Sequence, residues 1–128
     1  MPGDRRGASD PVTDVVSLTV PAGSAWNGVV ELVLAGLGAR LDLPYDRIDE
    51  LQLATRTVLS DAVGPEVRLD ASAGADDLEI RVGPLEAASA REPGRRRVLD
   101  TLADGFELDP SADGVTWAVL RFGRGGAR

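Results

Sequence analysis

Two residues on one predicted helix and a run of three arginines are the side chains best placed to do chemistry. Thr57 and Asp61 lie four apart in the stretch 46–64, so on a helix they point the same way. Ile48, Leu51, Ala54, Thr55, Val58, Leu59 and Ala62 recur on one face of that stretch, which predicts the helix and puts Thr57 and Asp61 on its other side. Asp61 offers a carboxylate that can hold a divalent cation, or it is a solvated acid near a helix end. Thr57 offers a hydroxyl that cannot act as a base near neutral pH, and an exposed helical threonine needs no function. Arg95, Arg96 and Arg97 stand at the start of another predicted helix. Guanidinium groups and free amides at a helix N-terminus suit an anion or a phosphate. An acidic face of a partner protein or a solvated turn would account for the run equally. Arginine in a first helical turn opposes the macrodipole by about 0.3–1 kcal/mol, a small mismatch that points to use.

Composition removes much other chemistry. The 128 residues contain no His and no Cys. Thiol catalysis, imidazole bases, His-containing triads and zinc sites built from those ligands are therefore excluded. All 14 cationic residues are Arg, which reads as compositional bias of a GC-rich genome and excludes a catalytic lysine. A net charge of -7 argues against direct nucleic-acid binding, which calls for a basic patch. No apolar run approaches the length of a membrane span and the first residues lack an apolar signal core, so a cytoplasmic protein is expected.

One domain over residues 15–122 is expected, flanked by loose tails at 1–14 and 123–128. Alternation predicts a strand at 15–20 with Val16, Leu18 and Val20 on one side. Ser24 is placed to cap a helix over 25–41, and Asp46 to cap the helix that carries Thr57, with Asp49 and Glu50 in its first turn. Strands at 67–71 and 78–82 form a hairpin about the turn 74–77. Residues 83–93 have no period and read as a loop. A third helix is expected over 94–104 with Gly105 at its C-cap. A last hairpin joins 106–109 to 115–122. Helices interleaved with antiparallel hairpins imply helices on one face of a sheet, with the other face wet or covered by a partner.

The helix at 25–41 is apolar nearly all round. Val30, Val33, Leu34, Leu37 and Leu41 form a stripe suited to the sheet, while Leu32, Ala35, Gly36 and Ala39 form a second face opposite. That second face is expected to be an interface, and a homodimer is one form it could take. Trp26 and Trp117 read as core or edge packing, and Tyr45 as a loop contact.

Three stretches in this order resemble the GHKL-type (Bergerat-fold) ATP-binding domains, and within them the small bacterial anti-sigma-factor serine kinases of the partner-switching type. Residues 41–54 are similar to that family's entry into its second helix, Leu78-Glu-Ile-Arg-Val82 to the strand before its adenine-binding loop, and Leu99-Asp-Thr-Leu-Ala-Asp104 to the helix after its glycine-rich lid. The resemblance implies an α+β fold, a two-layer α/β sandwich of Bergerat type, with a mostly antiparallel sheet and helices on one face. It also implies a nucleotide site whose residues are altered here. Thr57 stands where the family has a Glu that polarises the attacking group. Asp61 stands where an Asn holds magnesium. Pro84 stands where an Asp accepts from adenine, and Glu86 substitutes only if the loop shifts by two residues. Gly94 is followed by Arg95 and Arg96 where the family has Gly-x-Gly. These changes imply a fold that has lost its catalysis. The expected protein is a regulatory binding protein resembling an anti-sigma factor, without ATP binding or kinase activity, which holds a sigma factor or a STAS-type anti-anti-sigma protein and acts by partner switching. The alternative is an active ATP-dependent serine/threonine protein kinase, with ATP and magnesium held by Asp61, Glu86, Gly94, Arg95 and Arg96.

Overall fold

The computed structural model describes residues 14–110 and 115–123. The expected tails therefore lie outside the described residues, except that Asp14 opens the first strand and Gly123 closes the last. The tip of the last hairpin, 111–114, also lies outside them. The chain runs β1 (Asp14–Pro21), a 3-10 turn (Ser24–Trp26), α1 (Asn27–Arg40), α2 (Tyr45–Leu59), β2 (Glu66–Ala73), β3 (Asp77–Leu85), α3 (Ala87–Ala90), α4 (Pro93–Leu102), β4 (Gly105–Pro110) and β5 (Thr116–Gly123).

The five strands form one sheet in the order β1-β2-β3-β5-β4, and every neighbouring pair is antiparallel. Period-two alternation divides the sheet into two faces. Leu18, Leu69, Val82 and Ala118 stand in one row, and Val16, Ala71, Ile80, Leu120 and Phe106 in the next. Both rows face the helices and belong to the core. The helix layer runs α1, α2, α4, with α2 over β3 and α4 over β4. This is the expected two-layer α+β sandwich with helices on one face.

The opposite sheet face is bound by charge. Arg81 pairs with Asp109 at 3.1 Å, and Arg121 with Glu107 at 2.7 Å and Glu79 at 3.4 Å. Trp117 lies on this outer face and not in the core. Its ring covers Gly83, where a Cβ would come within 2.6 Å of it, and the Arg81 guanidinium lies 5.7 Å from the ring centre. The other two aromatic expectations also change. Trp26 is exposed in the 3-10 turn, and Tyr45, the most exposed large apolar side chain described, opens α2.

Several local expectations are corrected by backbone geometry. Ser24 caps nothing, because a 3-10 turn precedes α1 and no side chain bonds its N-terminus. Asp46 is not the cap of α2. Pro44 holds that position in extended geometry, and Asp46 lies in the first turn, where its charge suits the helix dipole. Between α1 and α2 the chain reverses at Asp42, whose φ is 59°. Leu43 N–H then reaches back to the Gly38 carbonyl at 2.9 Å, a Schellman-type closure. Residues 83–93 are not a loop throughout. Strand β3 continues through a cis Gly83-Pro84 bond to Leu85, and α3 follows. Helix α4 begins at Pro93 and ends at Leu102 with Ala103 as its C-cap, so Gly105 opens β4 instead.

Candidate functional site

The end of α2 and the start of α4 meet where the sequence placed its candidate residues. After α2 the chain turns at Ser60 and runs briefly alongside the end of β3. Ala62 bridges Leu85, Val63 N–H donates to the Pro84 carbonyl at 3.0 Å, and Glu86 N–H donates to the Asp61 carbonyl at 2.8 Å. This seam holds Asp61 beneath the segment that leads into α3 and α4.

Asp61 is buried, and its carboxylate accepts from Arg95 Nη2 at 2.9 Å. Burial pushes the Asp61 carboxyl above its ordinary value. The Arg95 guanidinium pulls the other way without cancelling the burial, and the nearby Glu86 and Glu92 carboxylates add to the rise. Arg95 Nε is also buried and has no hydrogen-bond partner. The pair therefore joins a desolvated acid to a base that is itself only partly satisfied.

The side chains of Thr57, Glu86 and Arg96 are engaged elsewhere within the chain. Thr57 Oγ donates to the Leu53 carbonyl at 2.8 Å, the usual way for a helical threonine to satisfy its hydroxyl. Glu86 caps α3, accepting from Ser89 N–H at 2.9 Å and from the Ser89 hydroxyl. Those bonds, first from the hydroxyl and then from the amide, hold its carboxyl below the ordinary value. Arg96 turns away from Arg95 towards β4. Its guanidinium stacks 5.3 Å from the Phe106 ring and reaches Asp100 at 3.5 Å. Gly94 lies in the first turn of α4.

Glu92 is the residue that sequence reasoning missed. It is the N-cap of α4, and its side chain accepts from Arg95 N–H at 2.9 Å. The same carboxylate lies 3.2 Å from the place where a Cβ on Gly94 would be. The helix N-terminus that would attract a phosphate thus already carries an anion from its own chain. Pro93 at the first helical position was the available signal. It marks the helix start one residue earlier than Gly94 and makes Glu92 the cap.

Between α2 and α4 the surface is apolar. Leu53 and Val98 are exposed across a shallow depression that Arg97, Thr101 and Leu102 complete. On α1, Leu32, Gly36 and Ala39 are exposed together with Val29, whereas Ala35 packs partly against the core. Among the described residues no three acidic side chains converge as a metal-binding set. None of the described helices is long and apolar enough to cross a membrane.

No family model matches the chain. Two curated proteins do, over 73 residues each. It is 29% identical to "Serine-protein kinase RsbW" of Bacillus subtilis and 26% identical to the protein of that name of Bacillus licheniformis. The matched stretch covers 57% of this chain and 44% of each relative, so the chain spans less than half the length of the curated relatives it matches. With the two-layer sandwich and antiparallel sheet, these matches make the chain a distant relative of the RsbW serine-protein kinases.

Proposed function

We propose that this chain is a cytoplasmic regulatory protein of the anti-sigma type that works by binding, without ATP and without phosphoryl transfer. It holds a sigma factor or a STAS-type anti-anti-sigma protein, and the two compete for it. Affinity comes from a buried apolar centre and complementary charge, and a net charge of -7 suits a partner with a basic patch.

The observation that carries this reading is the Arg95–Asp61 pair. Magnesium and ATP do not fit the residues present. The acid that would hold magnesium is buried against a guanidinium. The amides that would approach phosphate have Glu92 over them. The side chain nearest to an adenine hook, Glu86, caps α3. Thr57 cannot take a proton. Opening the site to nucleotide would break the ion pair and two helix caps together, and each loss has a cost.

A second reading, an active serine/threonine kinase, is favoured by the printed names of the two relatives. It requires Arg95 to release Asp61 to magnesium and Glu86 to leave Ser89. A direct assay separates the two. The purified chain is mixed with sigma factors and STAS proteins of its host, with and without Mg·ATP labelled on the γ-phosphate. Complex formation that is indifferent to ATP, with no label transferred, supports the binding protein. Label on a serine or threonine of the STAS protein overturns it.

A further inference from the structure

Helices α2 and α4 run antiparallel and are tied together at both ends. Asp61, just past the end of α2, pairs with Arg95 at the start of α4, and Arg47, at the start of α2, pairs with Asp104 just past the end of α4. Arg47 is held further by the Phe122 ring, whose centre lies 5.3 Å from its guanidinium. The two pairs fix the spacing of the helices, so the depression between them is formed in advance of any partner. It measures about 340 Å³ and is lined by Leu53, Arg97, Val98, Thr101 and Leu102. Leu53 is 48% and Val98 46% exposed. A lone exposed aliphatic side chain needs no account, whereas two that line one fixed groove make a surface.

The charges around this groove are sorted along its length. The lining holds one cation and no acid. Arg95 and Arg96 pair with Asp61 and Asp100, whereas the Arg97 guanidinium pairs with no acid among the described residues. Residues 91–97 carry four arginines and one glutamate, a positive island in a chain of net charge -7. Arg56, three residues after Leu53, is already paired with Glu31 of α1. The acids Asp49, four residues before Leu53, and Asp104 lie towards the other end. The groove is thus apolar along its middle and positive where α4 begins.

We propose that the α2–α4 groove takes an amphipathic helical segment of a partner protein that is acidic at one end. Its apolar side chains, at i, i+3, i+4 and i+7, lie on Leu53, Val98 and Leu102, and a carboxylate at its end meets Arg97. A helix is the occupant because the groove is bounded by two helices. Its wall α4, ten residues long, spans about 15 Å, room for roughly three turns. The end is acidic because Arg97 is the charge on the lining that no acid of the same helix or its neighbour answers. An anionic membrane is a poor match, since one exposed cation does not offset the repulsion of the remaining charge. Rim charges set orientation and encounter rate more than affinity, so the contact is weak and sensitive to salt. The inference rests on the binding reading above and adds a surface and the chemistry of its occupant, whichever partner carries that segment.

The probe is an alanine-based helical peptide of about fifteen residues, with leucines at those four spacings and glutamates in its first turn. The control peptide has lysine in place of each glutamate. Fluorescence anisotropy of the labelled peptides at low salt and amide chemical-shift mapping of the full chain read the contact. The acidic peptide is expected to bind at micromolar strength, about tenfold more tightly than the control, with shifts confined to α2 and α4. Arg97→Glu should reverse the order of the two peptides, and Leu53→Ser with Val98→Ser should weaken both. All three side chains are exposed, so an unchanged circular dichroism spectrum and urea midpoint separate loss of contact from loss of fold. Equal binding of the two peptides, no binding of either at millimolar concentration, shifts centred on another face, or an order that Arg97→Glu leaves unchanged would each overturn the proposal. Complexes with a sigma factor or STAS protein that survive all three substitutions would overturn it and leave the binding reading intact. Phosphoryl transfer from ATP would overturn that reading and leave this surface standing.

Discussion

Arg95 Nη2 lies 2.9 Å from Asp61 Oδ1, and the two side chains are 31% and 2% exposed. They are 34 residues apart in sequence and close the gap between the end of α2 and the start of α4. Removing one member of a buried pair leaves a charge without compensation, which costs more than the pair contributes. Arg95→Ala should therefore lower stability by about 3 kcal/mol, the lower end for such a loss, because Arg95 retains some solvent. Asp61→Asn removes the charge and keeps an acceptor, so it should cost clearly less. Urea denaturation of both variants and of the double variant checks this. Additive losses would show that the pair is not coupled.

The pH dependence of the same group has a definite sign. The folded-state pKa of Asp61 is raised above its ordinary 3.8 by burial, so the native chain binds that proton more tightly than the unfolded one. Its contribution to stability is present below about 3.8 and is lost as pH rises through the raised value. Asp61→Asn lacks this term. Its stability relative to wild type should rise as pH climbs from below 3.8 through the raised value, and then stay level. Paired urea titrations across that range measure the difference. A difference that moves the opposite way means that Arg95 outweighs the burial.

Glu92 satisfies an amide that would otherwise be open at the start of α4. Glu92→Ala should cost about 1 kcal/mol, the usual loss for a side-chain cap. Thermal unfolding measures it. Loss of the Glu92 carboxylate should also make sulfate stabilise the variant more than the wild type, since the N-terminal amides are then free for an anion. Equal stabilisation of the two proteins would mean that Glu92 does not block that end.

On the outer sheet face, Gly83 leaves room for the Trp117 ring. An added Cβ would meet ring atoms at 2.6–2.9 Å. Gly83→Ala should cost about 1–3 kcal/mol by overpacking and shift Trp117 fluorescence. In the Trp117→Ala background the same change should cost much less, a non-additivity that a double-mutant cycle reads.

The architecture was legible where burial follows period. Val16, Leu18 and Val20 alternate and face the core in part or fully; Val30, Leu34, Leu37 and Leu41 repeat at helical spacing and are buried. Ends were less legible. Pro84 halted the reading of β3, yet the strand runs on to Leu85, where Val63 N–H donates to the Pro84 carbonyl and Ala62 bridges Leu85. Helix α3 has four residues and no period, and what defines it is the Glu86 side chain on Ser89 N–H. For the site, the sequence supplied Asp61 and Arg95 separately. Nothing local to either residue encodes their pairing, which depends on where α2 and α4 end and begin. Glu92 was hidden because glutamate is an uncommon cap.

The central claim is that this cradle is closed by its own ion pair and does not take nucleotide. Calorimetric titration of the full chain with Mg·ATP tests it most directly. The account predicts no heat of binding up to millimolar nucleotide for the wild type. Saturable binding in the micromolar range, lost in Asp61→Asn, would contradict it and restore the kinase.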